Sequence, residues 1–204
     1  MMTRKVFISY SWVEPSGSVV NNWIYPSLLG SLRGRDVECV VDKVTCGYNE
    51  DIDNFEEDIV NATKVILVLS QDFLYSEDCM YEAALAVSRC NTTEQVYIIN
   101  LTNYNYRKDE EGRYDKICDC FNNRKSKVEE EISKLPSVAN KTKKKELRKI
   151  NTILNNLSDV WDMFKSKNSG RFETVSKDNF KLLSDDILKR LEACSISSAN
   201  IAEG

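Results

Sequence analysis

Residues 64–82 read KVILVLSQDFLYSEDCMYE and hold the clearest pattern in the chain. The apolar run at residues 65–69 ends at Ser70, and a short turn then leads into a helix whose first turns carry Glu82. A strand without polar alternation is buried on both faces, which is typical of a parallel sheet covered by helices. Residues 5–11, KVFISYS, repeat the apolar run and its hydroxyl-rich end. Because ligands bind at the carboxyl ends of such strands, we expect both ends and Glu82 to face one crevice.

Composition narrows the class of protein. The 204 residues are 42% hydrophobic and 29% charged, which suits a globular domain long enough to bury a full core. The chain has no histidine, which excludes Ser-His-Asp and Cys-His catalysis and His-ligated metals. Catalysis would therefore rest on carboxylates, Lys, Tyr, Ser or Cys. Cys118 and Cys120 are one residue apart, a poor spacing for zinc, so no metal site is predicted.

Charge and apolar runs also bear on partners and location. A net charge of -4 gives no general attraction to nucleic acid, so no nucleic-acid partner is predicted. No apolar run approaches the ~20 residues that a membrane-spanning helix needs. The first residues, MMTRK, lead directly into a strand and do not resemble a signal peptide. We therefore expect a cytoplasmic location, reduced cysteines and no membrane partner.

The first half of the chain alternates between strand and helix patterns. The predicted strands are residues 5–10, 37–41, 65–69 and 95–101, and the predicted helices are residues 19–33, 51–62 and 77–90. In the first helix, Trp23 is assigned to the apolar side and Pro26 to a kink or a late start. This β-α-β-α-β-α-β order predicts an α/β fold with a flavodoxin-like parallel sheet.

After residue 101 the apolar spacing becomes helical. Residues 114–135 and 142–166 each carry an apolar stripe, which predicts a helical hairpin that elaborates the sheet domain. No fifth strand of normal length is expected between residues 102 and 176. The predicted division is a single domain over 1–204, with core repeats at 1–101, a helical insertion at 102–170 and a closing helix at 171–194.

Several short motifs together resemble the Toll/interleukin receptor (TIR) domain. They occur in that family's order and spacing and cover about half the chain continuously. The motifs are FISYS at 7–11, residues 23–32 of the first helix, DV at 36–37, Asp42, residues 55–62, VILVLS at 65–70, FLYS at 73–76 and CMYE at 79–82. The resemblance implies the flavodoxin-like TIR fold.

The second half is similar to a bacterial TIR subgroup in which a long helical excursion replaces the fourth helix and fifth strand. Stand-alone TIR proteins of this size occur in bacterial anti-phage systems such as Thoeris, where they make a nucleotide signal from NAD. Other TIR domains hydrolyse NAD or act as interaction modules. The resemblance thus implies NAD as a substrate, with no additional cofactor.

Glu82 is the catalytic residue that the resemblance implies. Cleavage of the nicotinamide–ribose bond needs little acid–base help, because the pyridinium departs as a neutral molecule. A carboxylate that stabilises the oxocarbenium-like ribosyl cation meets the main demand, as carboxylates do in glycosidases. The alternative is an ordinary solvated glutamate on a helix surface.

The resemblance also implies a set of substrate-binding residues. Tyr10, Ser11 and Trp12 follow the first strand, where the family contacts the nicotinamide riboside; the alternative is ordinary loop packing. Hydroxyls can bond ribose or phosphate, and an indole can stack on a pyridinium. Asp42 and Lys43 open the loop after the second strand, which in TIR enzymes reaches the active site or a neighbouring protomer. Asp42 could equally form a turn, and Lys43 could be a solvated charge.

One position departs from the family pattern. Many NAD-cleaving TIR domains carry Trp four residues before the glutamate, where this chain has Asp78, also taken as a substrate-binding candidate. A second carboxylate beside Glu82 would raise one pKa and change the pocket, or Trp12 supplies the stacking instead. Further along, residues 141–149 carry six basic residues and Glu146, which favours a solvated helix face over nucleic-acid binding.

These observations predict an NAD-cleaving TIR enzyme, with a non-catalytic adaptor that acts by homotypic assembly as the alternative. A flavodoxin-like receiver is disfavoured, because no acidic cluster follows the first strand and no GxGxxG occurs. Little sequence lies outside the predicted elements. The expected enzyme would therefore act through a diffusible product, a cyclic or conjugated ADP-ribose signal read by a downstream effector. The resemblance also implies self-association, because in this family the loop after Asp42 can complete a neighbour's site.

Overall fold

The computed structural model describes residues 4–13, 15–32, 36–41, 59, 61–90, 92–102, 104–109, 111–134, 140–167 and 170–202. Its centre is a parallel sheet with the strand order β2-β1-β3-β4-β5. The strands are β1 (Arg4–Tyr10), β2 (Val37–Val41), β3 (Lys64–Leu69), β4 (Val96–Asn100) and the two-residue β5 (Gly170–Arg171). The predicted flavodoxin-like parallel sheet is confirmed, since this order is that of the flavodoxin family.

Helices cover the sheet on both sides. They are α1 (Ser16–Val19), a π-helical segment (Val20–Ile24), α2 (Tyr25–Leu32), α3 (Gln71–Tyr75), α4 (Glu77–Arg89), α5 (Thr92–Gln95), α6 (Arg113–Lys134), α7 (Lys141–Ser166), α8 (Phe172–Val175) and α9 (Lys181–Ala202). Within the described ranges no helix is both long enough and apolar enough to cross a membrane.

The two faces of the sheet carry separate hydrophobic clusters. On the face that we call the α4 face, Phe7 of β1 and Leu67 of β3 pack with α4, α6 and α7. On the opposite face, called the α9 face, Ile8 and Tyr10 of β1 and Ile66 of β3 pack with α2 and α9. Successive residues of a strand therefore pack into opposite clusters, and both sets must be apolar, which is why the central strands are apolar throughout.

The first helix differs from its prediction. A π-helical segment at Val20–Ile24 precedes Pro26, which has no N–H to donate to the carbonyl of Asn22. The wider turn changes which side chains face the core. Trp23, predicted on the apolar side, is 58% exposed, whereas Val20 and Ile24 are fully buried.

Two other predicted helices are described in part or have different bounds. Most of the helix predicted at residues 51–62 lies outside the described residues; Ile59 and Ala62 are described and are buried on the α4 face. The closing helix was predicted at 171–194. It begins instead at Lys181, because Asn179 and Phe180 have φ angles of +56° and +60° that a helix cannot accommodate, and it continues to Ala202.

The predicted helical hairpin is present as α6 and α7. The helix α7 packs along both α4 and α6, and it buries Ile150, Ile153, Leu157, Val160 and Trp161. The short β5 pairs only with Ile99 and Asn100 of β4, and it is the one strand between residues 102 and 176 in the described part of the chain. The hairpin thus occupies the side of the sheet domain that carries Glu82.

We predict that the hairpin belongs to the same cooperative core as the sheet. Ile153→Ala removes a fully buried side chain from the α4 face, which should lower the free energy of unfolding by about 2–5 kcal/mol. Thermal unfolding followed by circular dichroism should show one transition at a lower Tm. Asn155→Ala, at an exposed position of the same helix, is the control and should leave Tm nearly unchanged. A separate early transition for α6 and α7 would contradict this prediction.

Candidate functional site

The carboxyl ends of β1 and β3 lie side by side. The two strands pair directly, with Tyr10 opposite Val68 in the register. Ser11 follows β1, and Ser70 follows β3 at the beginning of the segment that leads to α4. This edge of the sheet is the place where parallel α/β folds bind their ligands.

Most of the predicted hydroxyls at this edge are engaged in local structure. Ser70 Oγ accepts a hydrogen bond from Phe73 N at 3.1 Å and caps α3, and Ser76 Oγ accepts one from Cys79 N at 3.4 Å and caps α4. Ser11 Oγ accepts a hydrogen bond from Val13 N at 3.3 Å. These bonds fix where the helices begin and how the chain turns after β1.

Ser9 is the exception among the hydroxyls of these strand ends. Its side chain is 1% exposed, and its Oγ has no hydrogen-bond partner in the described structure. Ser9 lies two residues after Phe7, so strand alternation places it on the α4 face, opposite Leu67 of β3. A buried hydroxyl without a partner is uncommon, because no hydrogen bond offsets the free-energy cost of removing it from water.

The helix α4 carries Glu82 to this face of the sheet. Its first turn holds two carboxylates, Glu77 and Asp78, where the helix dipole favours negative charge, and its last turn holds Arg89. Three alanines, 83, 84 and 86, are fully buried and let the helix pack closely on the sheet. Glu82 lies in the second turn of α4 and is half-buried. The helix contacts β1, and Ala83, the residue after Glu82, belongs to the core.

The structure does not bring all the predicted binding residues together. Tyr10 packs on the α9 face, opposite the face covered by α4, and its hydroxyl lies 3.4 Å from Asn21 Oδ1 in the π-helical segment. Trp12 is 49% exposed in the loop after β1. Asp42 and Lys43 lie outside the described residues. Of the predicted binding residues, Ser11 therefore follows β1 directly, and Glu82 is half-buried on the helix that packs on the α4 face.

Asp78 forms an ion pair with the hairpin. Lys149 Nζ of α7 donates to Asp78 Oδ1 at 3.1 Å, and the same ammonium lies 5.3 Å from the centroid of the Tyr81 ring. Burial is the main cause that raises the pKa of the neighbouring Glu77 above its usual range. The carboxylates of Glu146 and Asp78 raise it further, and Lys149 opposes them. The basic run is therefore not a solvated face throughout, since Lys149 turns toward α4.

Two residues of this region were missed in the sequence. Ser9 could have been found by alternation alone, because residues 7 and 9 of a buried strand share a face while Tyr10 points to the other. Lys149 had no such signal. Its contact with Asp78 joins positions 71 residues apart and depends on how the hairpin packs against the sheet domain.

The strand order and the helices on both faces define a parallel α/β domain of the flavodoxin type. A family model, the TIR domain, matches residues 6–184, so the chain belongs to the TIR domain family. Among solved structures, the TIR domains of the activated Roq1 resistosome, which directly recognises the pathogen effector XopQ, share 16% identity with the chain. The match covers 92% of this chain and 99% of that chain, with a TM-score of 0.49. No curated protein gives a match to this sequence.

We predict that the Ser9 hydroxyl contributes nothing to folding. Ser9→Ala should leave the free energy of unfolding unchanged or raise it by up to about 1 kcal/mol, because the hydroxyl is buried without a partner. Ser70→Ala is the comparison, and loss of that helix cap should cost about 1 kcal/mol. Denaturant unfolding at equilibrium measures both. A clear loss of stability in Ser9→Ala would show that the hydroxyl has a structural partner.

Proposed function

We propose that this TIR domain is an enzyme that cleaves the nicotinamide–ribose bond of NAD, with Glu82 as its catalytic carboxylate. The observation that supports the proposal is that Glu82 is half-buried in the second turn of α4, the helix that follows the carboxyl end of β3 and contacts β1. A solvated glutamate of no function would more often lie on the exposed side of such a helix.

The proposed chemistry matches the residue types that are available. As the nicotinamide leaves, positive charge develops on the ribose, and the carboxylate of Glu82 stabilises it. The reaction needs no general acid for a leaving group that departs neutral, so a chain without histidine can perform it. NAD is the substrate, and the proposal includes no further cofactor.

The remaining candidates have different parts in this proposal. Ser11 and Trp12 would contact the nicotinamide riboside, with the half-exposed indole of Trp12 stacking on the pyridinium. Tyr10 would hold the end of β1 from the α9 face through Asn21. Asp78 flanks Glu82 with its charge balanced by Lys149. Asp42 and Lys43 stay predictions from the sequence, as does the cytoplasmic location.

We predict that Glu82→Gln abolishes nicotinamide release in a protein that still folds. The change keeps the size and polarity of the side chain and removes the charge that stabilises the ribosyl cation. A loss of at least ~100-fold corresponds to roughly 3 kcal/mol of transition-state stabilisation. The measurement is nicotinamide released from NAD by the purified protein, resolved by mass.

The matched control is Glu173→Gln, which makes the same change at an exposed glutamate in α8. It should retain the activity of the unaltered protein. Near-normal cleavage by a folded Glu82→Gln variant would remove Glu82 from the catalytic role.

The second part of the proposal concerns the product and assembly. We expect a cyclic or conjugated ADP-ribose signal that acts on a downstream effector in bacterial anti-phage defence, and activity that depends on self-association. Specific activity should therefore rise with protein concentration, and mass spectrometry should show a product other than linear ADP-ribose. Linear ADP-ribose as the sole product, at a specific activity independent of concentration, would contradict both expectations.

The alternative function is a non-catalytic adaptor that acts by homotypic assembly. One observation favours it: large apolar side chains, Trp23, Leu29 and Leu182, are exposed on helical segments of the same side of the sheet. Analytical ultracentrifugation together with the NAD assay separates the two functions. An adaptor would assemble without releasing nicotinamide, and Glu82→Gln would then change nothing that is measured.

A further inference from the structure

We propose that Lys149 of α7 is a positioning residue that fixes the first turns of α4 and thereby the orientation of Glu82. The inference rests on the proposed function for its catalytic consequence. In this proposal the helical hairpin contributes to the site, because α7 holds in place the helix that carries Glu82.

The contacts of Lys149 bracket the residues that lead to Glu82. Its ammonium bonds Asp78 Oδ1 at 3.1 Å and lies over the Tyr81 ring at 5.3 Å. Asp78 is one turn before Glu82 on the same side of α4, and Tyr81 directly precedes it. One cation on a second helix therefore contacts α4 at two points within the turn that ends at Glu82.

Burial makes this ion pair different from an ordinary surface pair. The Lys149 side chain is 13% exposed and the Asp78 side chain is 68% exposed, so the lysine is held by the packing of α7 on α4. An exposed pair contributes little because two mobile side chains must be ordered to form it. Here Lys149 is already ordered by its burial, so only the Asp78 side chain has to be ordered to form the pair.

The charges nearby give the cation a second effect. Glu77 and Asp78 in α4 and Glu146 in α7 bring three carboxylates to this junction, and Lys149 and Arg124 are the cations that act on Glu77 there. Without Lys149, repulsion among the three carboxylates would separate the first turn of α4 from α7. We expect that movement to displace Glu82.

The test compares Lys149→Met, Lys149→Arg and Asp78→Asn, alone and as the double variant Lys149→Met/Asp78→Asn. Lys165→Met is the control, because Lys165 lies on the same helix and its ion pair with Asp162 at 2.9 Å stays within α7. Hydrogen exchange of the amides at residues 77–83 reports the first turns of α4. Steady-state NAD cleavage reports kcat and KM on the same proteins.

Lys149→Met should speed exchange at residues 77–83 by about fivefold and lower kcat by about three- to tenfold, with KM for NAD changed less than twofold. Lys149→Arg should restore both, since it retains the cation. The effects in the double variant should be less than the sum of the two single effects, because Asp78→Asn removes one of the carboxylates that repel each other in Lys149→Met. Lys165→Met should match the unaltered protein.

Unchanged exchange and kcat in Lys149→Met would overturn the inference, and so would strictly additive effects in the double variant or failure of Lys149→Arg to restore kcat. Asp78→Asn alters an exposed side chain, so it supplies a folded variant if Lys149→Met unfolds. An unaltered protein that does not cleave NAD would contradict the proposed function. The exchange measurements would still decide whether Lys149 fixes this turn.

Discussion

The rest of the structure depends on burying the central strand β3 on both faces. All six of its residues, from Lys64 to Leu69, are buried, and it pairs with β1 on one side and β4 on the other. Helices must then cover both faces, and two separate clusters result. Lys64, the first residue of β3, can be buried because its Nζ donates a hydrogen bond to the carbonyl of Glu94 at 2.9 Å. A buried ammonium without such an acceptor would be strongly destabilising.

The same constraint decides where polar chemistry can occur. With both faces closed, side chains that meet a ligand must lie beyond the strand ends or on the helices that flank them. At the ends of β1 and β3, Ser70 caps a helix and Ser11 bonds the turn after β1, whereas Ser9 Oγ has no hydrogen-bond partner among the described residues. The proposed catalytic carboxylate, Glu82, lies on such a helix.

The sheet could be predicted from the sequence because its signals are local. Apolar runs separated by helical patterns gave four strands within one or two residues of their observed bounds, and the helical spacing of residues 142–166 gave α7 almost unchanged. A kink was assigned to Pro26, but the π-helical form of the break at Val20–Ile24 was not foreseen. The pairing of Lys149 with Asp78 was not foreseen either, because nothing in the local sequence of a basic run shows which lysine will face a carboxylate 71 positions earlier.

The π-helical segment has a consequence for how the first helix can vary. Val20, Ile24, Leu28 and Leu32 are all buried on the α9 face at a spacing of four residues. In a regular α-helix of about 3.6 residues per turn, such a row drifts by about 40° at every step and would wind away from the sheet. The wider π turn absorbs part of that rotation. A π turn holds one residue more than an α turn, so loss of one residue between Val20 and Ile24 would return the segment to α-helical geometry and keep the flanking segments close to their present faces. A deletion of one residue is therefore accommodated better here than elsewhere in the helix, and Pro26 marks the place in the sequence.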